Sequence, residues 1–103
     1  MAQVIEENGE LILKLSRLEK IYSLHQNIRV KTSDLVSITE YKKPWNNKVL
    51  RGFRAPGTGL PFVILFGTMR FRGGKDFAAI YKRGPVKVYE FNAGEFKRWI
   101  VSI

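Results

Sequence analysis

Hydrophobic positions along this chain come in short runs, many of them alternating with polar residues, and only one stretch keeps a helical spacing. Leu11-Ile12-Leu13-Lys14-Leu15 reads as a mostly buried strand. Ile28-Arg29-Val30-Lys31 alternates strictly, and Leu35, Val36, Ile38 and Tyr41 mark a β-rich run reaching Lys42. Val49 to Phe53 predicts a short edge strand. Phe62 to Phe66 is apolar throughout, and Met69-Arg70-Phe71-Arg72 puts apolar groups on one side and arginines on the other. Gly67-Thr68 between them predicts a bulge or bend. Phe77 to Tyr81, Val86 to Phe91 and the apolar end from Phe96 to Ile103 complete the pattern. Short turns separate these runs at Thr32-Ser33-Asp34, Gly73-Gly74, Arg83-Gly84-Pro85 and Asn92-Ala93-Gly94. About seven strands with such turns predict an antiparallel sheet bent into a barrel or sandwich.

The helical stretch follows Ser16-Arg17-Leu18-Glu19, a hydroxyl residue with Glu three places on, as in a capping box. Leu18, Ile21, Tyr22 and Leu24 then recur at helical spacing, which predicts a helix from Arg17 to His25 that packs these residues on the sheet. Ahead of it, Asn8-Gly9 favours a tight turn. Residues 1–8 are expected to be a flexible tail or a short strand, within one domain spanning 1–103.

Arg51-Gly52-Phe53-Arg54-Ala55-Pro56-Gly57-Thr58-Gly59-Leu60-Pro61 stands apart. Proline removes a backbone donor and glycine admits positive φ, so the run is expected to be a shaped loop rather than a helix or central strand. Gly52, Pro56, Gly57, Thr58, Gly59 and Pro61 would set its shape, and Arg51, Phe53 and Arg54 would be free to touch a partner. Asp76, beside Gly73-Gly74-Lys75, would hold its turn through backbone donors or pin the loop by pairing with Arg51 or Arg54.

Charge adds a second asymmetry. The net charge is +9. Residues 1–41 hold five Lys or Arg and six Asp or Glu, whereas residues 42–103 hold thirteen and three. The basic field thus belongs to the second half, and suits nucleic acid, an anionic membrane surface or an acidic protein face. Solubility alone is the plain alternative. No run reaches the roughly 18 apolar residues of a membrane span. The absence of cysteine removes disulfides, thiolate metal sites and a cysteine nucleophile, and a cytoplasmic location, at most at the membrane surface, is the expectation.

Catalytic residues do not assemble. The one histidine, His25, falls at the end of the helix, where it would interact with the carboxyl end. Glu40, Asp76, Glu90 and Glu95 form no close sequence pair, and Ser16, Ser23, Ser33, Ser37 and Ser102 sit in no nucleophile elbow. Gly73-Gly74-Lys75 lacks the earlier glycine and following hydroxyl of a phosphate-binding loop. No catalytic, metal or cofactor site is therefore expected. Binding fits better: Arg51, Arg54, Arg70, Arg72, Lys75, Lys82 and Arg83 interleave with Phe53, Phe71 and Tyr81. Trp99 is expected in the core, and Trp45, beside Pro44, at a contact or as a lid.

Taken together, Leu18-Glu19-Lys20 with Leu24, Arg51-Gly52-x-Arg54-x-Pro56-Gly57-Thr58 with Pro61, Gly67-Thr68, and Gly73-Gly74-x-Asp76-Phe77 resemble small bacterial proteins with pleckstrin-homology-like (PH-like) domains. The likeness runs from about Leu11 to Ile103. It implies a bent antiparallel barrel of about seven strands with one short early helix. Two departures matter. Arg17 and Lys20, in the region where phosphoinositide-binding PH domains carry basic residues, are offset by Glu19. The chain also ends at Ser102-Ile103, where a carboxyl-terminal capping helix would begin, which leaves a barrel end for the early helix or a second copy to cover. The expected function is a non-enzymatic PH-like interaction module with Arg51, Phe53, Arg54, Arg70, Arg72 and Lys75 facing an acidic protein or anionic headgroups. A single-stranded nucleic-acid-binding β-barrel is the alternative, and self-association is a further expectation.

Overall fold

The computed structural model describes residues 2–23, 25–45, 49–50, 52–60 and 64–103; residues 53–56, 58 and 60 are described by their backbone alone. The chain is mainly β, as its pattern predicts, with two sheets and one short helix. Strands β1 (Gln3–Glu7), β2 (Glu10–Lys14) and β3 (Ile28–Lys31) form a three-stranded antiparallel sheet. The second sheet has six strands: β4 (Leu35–Tyr41), β5 (Phe53–Leu60), β6 (Ile64–Phe71), β7 (Gly74–Tyr81), β8 (Val86–Phe91) and β9 (Arg98–Ser102), in the order β4-β8-β9-β7-β6-β5. Both sheets are open among the described residues, rather than closed into a barrel. One pairing departs from the antiparallel expectation: β9 lies parallel to β7, with Phe77 opposite Trp99.

Local chemistry accounts for the connections. Asn8 and Gly9 both take positive φ, +53° and +78°, the geometry of a two-residue hairpin turn whose twist matches its strands. The residues before it are therefore strand β1, not a tail, with Val4 opposite Leu13 and Ile5 opposite Ile12.

Most of the run at 51–61 expected to be a loop is strand instead. Its residues 53–60 are β5, the edge strand of the large sheet, and its register with β6 shifts between Arg54 and Gly57. An edge with a bulge is where a sheet tolerates proline, so Pro56 fits there without costing a ladder bond. The predicted bulge at Gly67-Thr68 thus lies on the partner strand, while β6 runs on unbroken. Gly57 faces Gly67 so closely that a Cβ on Gly57 would stand 2.1 Å from the Phe66 carbonyl oxygen. Gly52, with φ +73°, would bring a Cβ to 1.8 Å from the Arg70 oxygen. Those two glycines hold β5 against β6. The strand predicted from Val49 to Phe53 begins only at Phe53; Val49 and Leu50 are irregular, and Arg51 and Pro61 lie outside the described residues.

The six-stranded sheet is buried on both faces by different covers. One face carries Phe66, Phe77, Ala79, Phe91, Trp99 and Val101 and packs under Leu11, Leu13, Ile28 and Val30 of the small sheet. Trp99 is core, as expected, with Phe91 edge-on to it at 4.7 Å. The other face carries Leu65, Met69, Ala78, Ile80, Val86, Val88 and Ile100 and is covered by Tyr41, Trp45, Val49 and Leu50. Trp45 thus serves as a lid: its Nε1–H donates to the Lys82 carbonyl at 2.7 Å.

The helix α1 (Arg17–Ser23) has the predicted capping box. The Ser16 N–H donates to Glu19 Oε1 at 2.7 Å, and the Glu19 N–H donates to Ser16 Oγ at 3.2 Å. Its packing is the reverse of the expected one. Glu19 and Ser23 face the sheet, whereas Leu18 and Ile21 are 61% and 58% exposed. Glu19 wins the inner position because a partner waits there: the Tyr81 hydroxyl donates to Glu19 Oε2 at 2.7 Å. With one oxygen on the cap and the other on Tyr81, the buried carboxylate has acceptors matched to donors.

Candidate functional site

The pairing of β5, β6, β7 and β9 brings basic residues into one row. Phe53 is the register partner of Arg70, and Arg70 that of Lys75. The Lys97 N–H donates to the Lys75 carbonyl at 2.8 Å, which places Lys97 next in the row. Arg70, Lys75 and Lys97 line one hollow of about 470 Å³ together with Phe71, Gly74, Gly94 and Glu95. Gly74 leaves room for the Lys97 stem: a Cβ there would meet Lys97 Cε at 2.7 Å.

The floor of this end is built from aromatics and one carboxylate. Lys75 Nζ stands 3.2 Å from Glu95 Oε2 and 5.1 Å above the Phe96 ring centre. Phe96 in turn meets Phe77 edge-on at 5.4 Å. His25 fits between them, 5.4 Å from each ring. Its Nδ1–H donates to the Gln26 carbonyl at 2.8 Å, which leaves Nε2 facing Glu95 Oε1 at 3.5 Å. The backbone N–H of His25 closes the helix end on the Lys20 carbonyl at 3.2 Å. His25 therefore packs and braces, and its side chain reaches past the helix end that was expected to hold it.

The expected partner-binding set divides. Arg70 and Lys75 come together in the hollow, and Arg72 is exposed in the adjoining turn. Phe53 and Arg54 stand on β5 beside them by backbone register, without a described side chain, and Arg51 lies outside the described residues. Asp76 is not a turn residue: it is wholly buried and accepts from Arg98 Nε at 3.1 Å and Nη2 at 2.9 Å. Arg98 Nη2 also donates to the Val49 carbonyl at 2.6 Å. Nothing in the local sequence pattern marks Lys97, or Glu95 as a neighbour of Lys75: a backbone bond and an ion pair across about 20 residues of chain bring them there. A second, smaller cleft is lined by Lys43, Pro44, Trp45 and Arg83.

Among the described residues no three His, Cys, Asp or Glu side chains converge as metal ligands. No helix among them is long and apolar enough to cross a membrane. Burial, then the hydrogen bond and charge of Glu19, push the Tyr81 hydroxyl pKa well above that of an ordinary tyrosine, and burial raises Tyr89 in the same direction. What the hollow can do chemically is attract and fit an anion: three cations act against one carboxylate, with an aromatic in its wall. No family model matches this chain, and no curated protein or solved structure shows significant similarity to it.

Proposed function

We propose that this protein is a non-enzymatic interaction module whose basic end, around Arg70, Lys75 and Lys97 with Arg72 beside them, receives an anionic partner. The observation that carries the proposal is that three cations, from β6, β7 and the bend just ahead of β9, line one hollow. Cations gathered in a concave wall focus a field that scattered surface charges do not. The partner is an acidic protein face or an array of anionic headgroups. The PH-like kinship belongs to the proposal as well, and the residue likeness from about Leu11 to Ile103 supports it.

Half-buried Phe71 in the wall of the hollow favours a second reading, single-stranded nucleic acid, whose bases stack on aromatics. Binding of the wild type to poly-glutamate, to phosphatidylserine vesicles and to an oligothymidine separates the classes. On the preferred reading, one of the first two binds, weakens with salt, and is lost in Lys75→Glu/Lys97→Glu. Tight oligothymidine binding with none to the other two would replace it by the second reading. Binding to none of the three would end both.

A further inference from the structure

Helix α1 carries its apolar residues outward. Leu18, Ile21 and Tyr22 stand at i, i+3 and i+4, so they form one stripe, and all three are exposed large hydrophobic side chains among the described residues. Exposed apolar residues at such spacing are more than scattered surface leucines. Tyr22 has one side against the sheet, with its ring stacked on Phe66 at 6.1 Å, which fixes the stripe to the core.

The outward charges on the helix and just before it in the chain have one sign. Lys14 and Arg17 are exposed and Lys20 is half-buried, while the helix's only acid, Glu19, is 1% exposed and turned inward. The helix also has a direction. α1 packs against β6 and β5; Glu19 lies at Tyr81 and Tyr22 at Phe66, and His25, just beyond the helix, lies at Phe77 and Glu95, so the chain through α1 runs toward Lys75. An apolar stripe flanked by cations therefore leads into the basic end.

We infer that α1 is a membrane-surface contact: Leu18 and Ile21 enter the headgroup–acyl boundary of an anionic leaflet while Lys14, Arg17 and Lys20 lie among its phosphates. Charge complementarity selects this occupant. A second copy docked stripe to stripe would set Arg17 and Lys20 against their own equivalents while the helix's acid, Glu19, is turned inward, whereas an anionic leaflet offers both hydrocarbon and negative charge. The inference deepens the proposed function by choosing headgroups over an acidic protein, and it rests on that reading for the sign of the lipid's charge.

The test is co-sedimentation of wild type and Leu18→Gln/Ile21→Gln with phosphatidylserine–phosphatidylcholine vesicles and with phosphatidylcholine alone, alongside binding to soluble poly-glutamate. Both substitutions are at exposed helix positions and keep helix propensity, so circular dichroism should be unchanged. The expected result is that the variant binds the anionic vesicles about tenfold more weakly or worse, since burying two large apolar side chains is worth at least that factor. Its poly-glutamate binding, if any, stays at the wild-type level. Equal vesicle binding by variant and wild type would overturn the membrane contact and leave the basic end standing. Wild type that binds poly-glutamate but not vesicles would do the same, and binding to neither would overturn both.

Discussion

Two successive rungs between β7 and β9 carry cations to opposite fates. On one rung Lys75 and Lys97 reach the hollow; on the next, Arg98 turns the other way and meets Asp76 inside. Arg98 is 7% exposed and Asp76 is 0% exposed. A charge taken out of water is held only if its donors and acceptors are matched, and here the guanidinium has both a carboxylate and the Val49 carbonyl. The inner pair ties the covering segment at Val49 to the sheet, and so belongs to folding. The outer lysines stay at the surface, Lys75 half-buried beside Glu95 and Lys97 exposed, where a partner can reach them. Adjacent residues of the same charge thus divide by which face of the strand they occupy.

The most severe way to break this contrast is on the inner rung. Asp76→Ala leaves Arg98 buried without its carboxylate, and should cost about 3–5 kcal/mol. Urea unfolding would read this as a large fall in midpoint. Replacing both by apolar residues, Asp76→Leu/Arg98→Met, should recover much of the loss, because the penalty comes from the stranded charge. A double variant no better than the single would mean that the pair is not coupled.

Neither fate was visible in the sequence alone. Most strand positions outside 49–60, the Asn8-Gly9 hairpin and the Ser16–Glu19 capping box follow from local chemistry. What local pattern cannot supply is pairing across the sheet. The parallel β7–β9 contact decides that Asp76 meets Arg98, and the backbone bond just ahead of it that Lys97 joins Lys75. The same limit explains the inverted helix: apolar spacing pointed Leu18 and Ile21 inward, but Tyr81, distant in sequence, holds Glu19 on the inner side instead. At 51–61 the prolines and glycines predict a loop because nothing local distinguishes a loop from a bulged edge strand.

Next in size is the other buried acid. Tyr81→Phe removes the donor to Glu19 Oε2 and should cost about 1–3 kcal/mol, read by thermal unfolding. It also has a pH signature. Unfolded tyrosines ionise near pH 10, whereas burial and Glu19 hold the proton on Tyr81 in the fold. The unfolded state therefore binds fewer protons above pH 10, and stability, full below that pH, declines as pH rises. Tyr81→Phe should flatten that decline, leaving the smaller share from Tyr89.

The outer rung should behave in the opposite way. Lys75→Gln/Lys97→Gln is expected to change stability by no more than about 0.5 kcal/mol, because exposed ion pairs contribute little. Its binding to an anionic probe should nevertheless fall. The smallest effect, and the sharpest in sign, is expected of Glu95→Gln. Removing the one carboxylate among the described residues that line the hollow should strengthen anion binding a few-fold, seen in titration at low salt, with folding nearly unchanged.

The most direct test of the basic end is the affinity of Lys75→Glu/Lys97→Glu for poly-glutamate and for phosphatidylserine vesicles, measured beside its urea midpoint. The account predicts a wild-type midpoint with at least tenfold loss of whichever binding the wild type has. A variant that binds as tightly as wild type, or one that loses binding only because it has unfolded, would contradict it.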